Sequence, residues 1–290
     1  MKRTQKQVLI IKENINRRNM KTKRFFMLTL AAAAMFSLTS CDRAVSKILK
    51  TALEEVMDYE YEDSEEWGPV VTRDLQLGDF TKLNSHGSVK FEVVQDTICR
   101  LQVYGNEKRI DAYDIKVEDG VLSAEHKGKS DKITKKTPRL TLLIGVPMLE
   151  YIHVHGAGDI DLKGKMHQDN PMEIEVNGAG DIDINDLETA SLKVTISGAG
   201  DMDIHRVKCP GDVRLSVSGA GDVDANVECK ELETTVSGAG DVDLTVLCDV
   251  LRASLSGAGD MDVKGQTRKF YKTAGRASTV DTDGLKVLEP

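Results

Sequence analysis

Aspartates are the most regular chemistry-bearing residues in the chain. Asp159, Asp181, Asp201, Asp222, Asp241 and Asp260 each precede by two residues a second member, Asp161, Asp183, Asp203, Asp224, Asp243 and Asp262. Such carboxylates could supply oxygen ligands to a hard divalent cation such as calcium, or could accept backbone N–H groups at turns. If they stack in two columns, neighbours lie ~4.8 Å apart and repel by roughly 1 kcal/mol in water. Something must offset that repulsion. The favoured reading is structural, with the first aspartate of each pair accepting amides at its own turn and the second facing solvent; a cation ladder is the alternative.

Three cysteines share the same rhythm. Cys209, Cys229 and Cys248 each follow a valine by two residues (Val207, Val227, Val246) and should occupy one column. An oxidising compartment could cross-link such a column, but side chains of stacked strands point in parallel, which favours buried thiols filling a narrow core. The sequence leaves open whether any pair is bridged. His153 and His155 share one strand face and could bind a metal or titrate; the reading adopted is a solvated face. His86, His126, His167 and His205 are scattered.

No Gly-x-Ser-x-Gly elbow, phosphate-binding loop, His-Glu-x-x-His or Cys-x-x-Cys occurs. No catalytic residue, cofactor or metal site is therefore assigned, and the chain is read as a non-enzyme. A polysaccharide-active β-helix would need one special carboxylate pair, whereas these carboxylates repeat. Between Tyr151 and Phe270 there is no Phe, Tyr or Trp, which weakens a glycan platform along the repeats. Trp67, Tyr104 and Tyr113 leave room for one nearer the start.

The element that must position these residues is a phrase opening at Gly156 (Gly-Ala-Gly-Asp-Ile-Asp-Leu), Gly178, Gly198, Gly219, Gly238 and Gly257, at intervals of 22, 20, 21, 19 and 19 residues. A period near 20 is too short for helix pairs and suits one coil of a β-solenoid. Before the Gly198 corner Leu192, Val194 and Ile196 alternate with polar residues; beyond it Met202 and Ile204 do the same. The glycines supply positive φ or close backbone approach at the corner. One coil buries too little to offset its ordering entropy, so the coils must stabilise one another.

Residues 70–150 are strand-like without the phrase and read as irregular opening coils. Thr273-Ala274-Gly275 with Val280-Asp281 reads as a worn seventh copy, and Phe270-Tyr271 as a plug for that end.

Residues 1–40 read as a signal peptide. Lys21, Lys23 and Arg24 precede an apolar run, Phe25 to Ser37, too short for a comfortable span. Met20 stands just before the basic cluster as an alternative start. The run ends in Leu38-Thr39-Ser40-Cys41, which resembles the lipobox of bacterial lipoproteins and implies lipidation of Cys41. Val45, Ile48, Leu49, Ala52, Leu53 and Val56 have the spacing of a short amphipathic helix. An acidic linker follows, so 41–69 reads as anchor helix and linker and 70–290 as the folded domain.

Residues 1–40 hold nine Lys/Arg and one Glu, so removing their net +8 from the chain's −8 leaves about −16. That charge repels phosphate backbones and disfavours nucleic-acid binding, so no nucleic acid is expected as a partner.

The lipobox, the segment Phe80-x-x-Leu83-x-x-x-Gly87-x-Val89-x-Phe91-x-Val93 and the serial Ser-Gly-Ala-Gly-Asp-hydrophobic-Asp phrases together resemble the head GIN family of bacterial cell-envelope domains, also labelled "putative autotransporter adhesin". The resemblance implies an all-β fold, a right-handed single-stranded parallel β-helix, and an adhesion role, with no catalytic residues to transfer. The expectation is a β-helix with a short N-terminal amphipathic helix, anchored to the outer membrane through Cys41 and either surface-facing or periplasmic. It would act as a non-catalytic surface for a host, neighbour-cell or envelope protein or glycan. A calcium-dependent scaffold and a polysaccharide-active β-helix are the alternatives.

Overall fold

A computed structural model describes residues 66–128 and 139–289. The signal segment, Cys41 and the expected helix at 44–57 lie outside the described residues. Over the described part the chain is a β-solenoid of about seven turns, built on two parallel sheets that share one core.

The opening is β1 (Val70–Leu75), β2 (Lys82–Gly87), β3 (Val89–Gln95), β4 (Arg100–Asn106), a short helix α1 (Glu107–Asp111), β5 (Tyr113–Glu118), β6 (Val121–His126) and β7 (Leu140–Val146). It departs in part from the expected run of irregular coils: β2 and β3 make one coil and β6 and β7 a second, while β1, β4 and β5 add antiparallel pairings. Between β3 and β7 the chain folds back through antiparallel pairings. β4 pairs antiparallel with both β1 and β7, and β5 with β6. β6 and β7 stack in parallel on β2 and β3, so these pieces cover one end of the solenoid. The alternation that marks a coil strand also marks a hairpin strand, so sequence periodicity did not separate the two.

The repeats then wind off the other side of that first coil. β8 (Tyr151–Gly156), β10 (Met172–Gly178), β12 (Leu192–Ala199) and β14 (Asp212–Ala220) extend the first sheet from β2. β9 (Ile160–His167), β11 (Ile182–Glu188) and β13 (Met202–Lys208) extend the second from β3. In β15 (Val223–Ala239) and β16 (Val242–Ala274) the strand runs unbroken from one sheet into the other. β17 (Ala277–Asp281) and β18 (Leu285–Val287) close the stack.

Register explains the core. Leu83, Ile152, Ile174, Val194 and Leu215 pair coil to coil in one buried column, and Phe91, Ile160, Ile182, Met202, Val223 and Val242 in another. Aliphatics on one side of each strand thus form a continuous apolar interior, the non-directional driving force for stacking. The uneven intervals have a local cause. The first repeat carries an extra residue at a bulge, where Ile184 pairs with Leu162 but Asp186 with Lys165, and Gly164 takes it up at φ +70°.

The seventh copy is present at Val280-Asp281, which pair with Met261 and Asp262, but its corner falls at Ala277-Ser278, opposite Ala258 and Gly259, and not at the expected Thr273-Ala274-Gly275. An unexpected copy stands at the other end. Gly87 pairs with Gly156 and Glu92 with Asp161, so Gly87-Ser88-Val89-Lys90-Phe91-Glu92-Val93 is a degenerate phrase. At the far end Phe270 packs against the core, but Tyr271 is half-exposed with the Arg252 guanidinium 4.5 Å from its ring centre, so only the first of the pair plugs.

Candidate functional site

The Gly-Ala-Gly corner sets the distance between coils. A Cβ on Gly198, at φ +139°, would lie 1.9 Å from the Gly178 carbonyl oxygen, and one on Gly200 would lie 2.2 Å from that of Gly180. Gly198 therefore meets both conditions that require glycine, conformation and contact. Gly200 meets the second alone.

That close stacking brings the first aspartate column into hydrogen-bonding reach of itself. The backbone N–H of Asp181 donates to Asp159 Oδ1 at 3.3 Å, Asp201 to Asp181 at 3.1 Å, Asp222 to Asp201 at 3.0 Å, Asp241 to Asp222 at 2.9 Å and Asp260 to Asp241 at 3.0 Å. The expected bond within the aspartate's own turn is replaced by one that crosses to the next coil. The physical reason is the close approach of the coils at the glycine corner, which brings each amide within reach of the carboxylate one coil back. The amide then points at the preceding carboxylate. Each charge-assisted bond offsets the repulsion between stacked carboxylates. Asp159 also pairs with Arg139, and the column ends where Thr279 pairs with Asp260.

The second column is also in register, Asp161, Asp183, Asp203, Asp224 and Asp243 pairing in turn. Its middle members face solvent. Asp203 meets His205 at 3.0 Å and Asp262 meets Lys264 at 2.5 Å. At the buried end, Lys163 sits between Asp161 (3.3 Å) and Glu92 (2.9 Å), and Lys90 reaches Glu92 at 3.0 Å. Burial pushes the Asp161 carboxyl up to about 6 against the pull of Lys163, with Glu92 adding to the rise. Burial also opposes ionisation of Glu92, but Lys163 and Lys90 outweigh it and hold its carboxyl below the usual range. Sequence reading missed this quartet because Lys90 and Glu92 belong to the degenerate copy.

The cysteine column forms as the spacing predicts. Cys229 pairs with Cys248, Cys209 stacks next to Cys229 through the pairing of Lys208 with Glu228, and all are free thiols. Burial pushes the Cys209 thiol up to about 12. Tyr104 and Tyr113 are buried; the Tyr113 hydroxyl accepts from Ser88 N–H and Arg109 Nη2 at 3.1 Å each, so these rings are core and offer no glycan platform. Among the described residues no group of three or more His, Cys, Asp or Glu is already arranged around a metal position.

A family model described as "Putative auto-transporter adhesin, head GIN domain" matches residues 79–266 and 204–289. The chain belongs to the head GIN family. Among solved structures, this head GIN chain is similar to a "putative adhesin" from Bacteroides fragilis, with 24% identity, TM-score 0.64 and coverage of 73% of this chain and 95% of that one. It is also similar to a "putative lipid binding protein" from Parabacteroides distasonis, with 20% identity, TM-score 0.54 and coverage of 76% and 98%. A "putative adhesin" from Parabacteroides merdae matches with 16% identity, TM-score 0.51 and coverage of 77% and 100%. At these identities the likeness concerns the fold. No curated protein matches the chain. Membership in a family described as adhesins indicates an adhesion or binding role at the cell envelope or surface.

Proposed function

We propose that this head GIN chain is a lipid-anchored, non-catalytic adhesion surface, held in the outer membrane through Cys41 and facing outward. The observation that carries the reading is the family match across residues 79–289. The geometry supports the non-catalytic part of the reading, because the first-column carboxylates are engaged as acceptors of inter-coil amides and so work as scaffold. The same engagement occupies one oxygen on each of Asp159, Asp181, Asp201, Asp222 and Asp241 that a calcium-binding ladder would use. The Leu38-Thr39-Ser40-Cys41 sequence supports the anchor. The partner would be a host, neighbour-cell or envelope protein or glycan, and the acidic surface favours one with a basic face.

Attachment of cells to host-cell or matrix layers tests this reading. Cells lacking the chain should attach less, and purified protein added in excess should compete with the parent strain. Unchanged attachment in both arms would overturn it.

A further inference from the structure

A second group of side chains gathers on the outer face of the first sheet, near the N-terminal coils. β8 presents His153 and His155. β2 brings His86 beside His155 and Asn84 beside His153, and β10 brings Glu175 and Asn177 from the other side. His155 Nδ1 lies 3.2 Å from His153 Nε2. The ring of His86 stacks on that of His155 with centroids 5.1 Å apart and planes at 24°. In an ion with metal–nitrogen bonds of about 2.0–2.1 Å, adjacent ligand nitrogens stand roughly 3.0–3.4 Å apart. The His153–His155 separation, here a hydrogen bond between the two rings, falls in that interval, so the same two nitrogens can converge on an ion that replaces the shared proton.

The surroundings fit that use. The Glu175 carboxylate accepts from Asn177 Nδ2 at 2.9 Å and from the Tyr151 hydroxyl at 3.1 Å, and Asn177 Nδ2 also lies 3.1 Å from His153 Nε2. Glu175 thus places a carboxylate next to His153 in the coil register. His153 Nε2 has one lone pair yet faces two nitrogens, and Asn84 Oδ1, next in its column, is buried without a hydrogen-bond partner. A cation draws on lone pairs, and Asn84 Oδ1 is an acceptor left unfilled beside the rings.

We propose that His153 and His155 chelate a divalent transition-metal ion of the zinc class, with His86 as third ligand after rotation of its ring. Imidazole donors select zinc, copper and nickel over calcium and magnesium, so this site is chemically distinct from the aspartate columns and independent of the adhesion reading. Protons compete for the same nitrogens, so acid releases the ion.

Calorimetric titration of the full-length protein, purified without a polyhistidine tag, with zinc chloride tests the site. One zinc ion should bind per chain, calcium chloride should give no competing heat, and His155→Ala should lose at least tenfold in affinity. His205→Ala, remote from the cluster, should bind like the parent. His155 is exposed, so its variant should keep the parent circular dichroism spectrum. Should that variant misfold, His86→Gln replaces it, and a weakened affinity there supports the site while an unchanged one overturns it. Absence of saturable zinc binding, or parent-like binding by His155→Ala, which would place the ion elsewhere, the thiol column included, also overturns it.

Discussion

Asp201 accepts the backbone N–H of Asp222, one coil further on, through Oδ1 at 3.0 Å. The same bond recurs along the first column, so a row of like charges doubles as a seam between coils. The second column, two residues on, makes no such bond in the middle of the stack.

The two columns should therefore respond differently to the same change. Asp201→Ala should cost about 1–2 kcal/mol, because a charge-assisted bond is lost and an amide is left without its acceptor. Asp203→Ala, which removes an exposed carboxylate, should fall within about 0.5 kcal/mol of the parent. Urea midpoints of the two variants check this, and an equal or reversed ranking would contradict the seam.

Glycine at the corner should be far less replaceable than its neighbour. A Cβ on Gly200 would meet the Gly180 carbonyl oxygen at 2.2 Å, backbone against backbone with nothing flexible to yield. Gly200→Ala should lose about 3 kcal/mol or more, whereas Ala199→Ser, on an exposed side chain, should be nearly neutral. Thermal midpoints decide; a Gly200→Ala midpoint equal to the parent's would mean that the coils lie further apart.

Much of this was legible in the sequence. The repeated phrase fixes which residues align coil to coil, so the aspartate and cysteine columns and the worn copy at Val280-Asp281 follow from the repeat itself. The first copy escaped because Lys90 and Val89 replace the aspartate and second glycine that define the phrase. The antiparallel cover escaped because β4 and β6 alternate as coil strands do. His86 could not be joined to His155 because their proximity depends on β8 stacking against β2 across the intervening hairpins. The direction of the Asp201 bond depends on inter-coil distance, which spacing alone does not give.

The buried quartet makes stability pH-dependent in two opposite senses. Asp161 titrates near 6 in the fold and at about 3.9 unfolded. Its contribution is thus fully present below about pH 4 and lost as pH rises through about 6. Glu92, held low, contributes above its unfolded value and loses that contribution on acidification. Asp161→Asn should accordingly stabilise the protein at pH 7, by on the order of 1–3 kcal/mol, and the gain should vanish near pH 4. Urea titrations of variant and parent at both pH values check this, and a gain that persists at pH 4 would contradict it.

Protease shaving of intact cells, followed with an antibody to the repeat region and a periplasmic control protein, tests the central claim most directly. An outward-facing adhesion surface predicts that the repeats are digested while the control survives. Repeats protected until the envelope is opened would contradict it and assign the solenoid to partners inside the envelope.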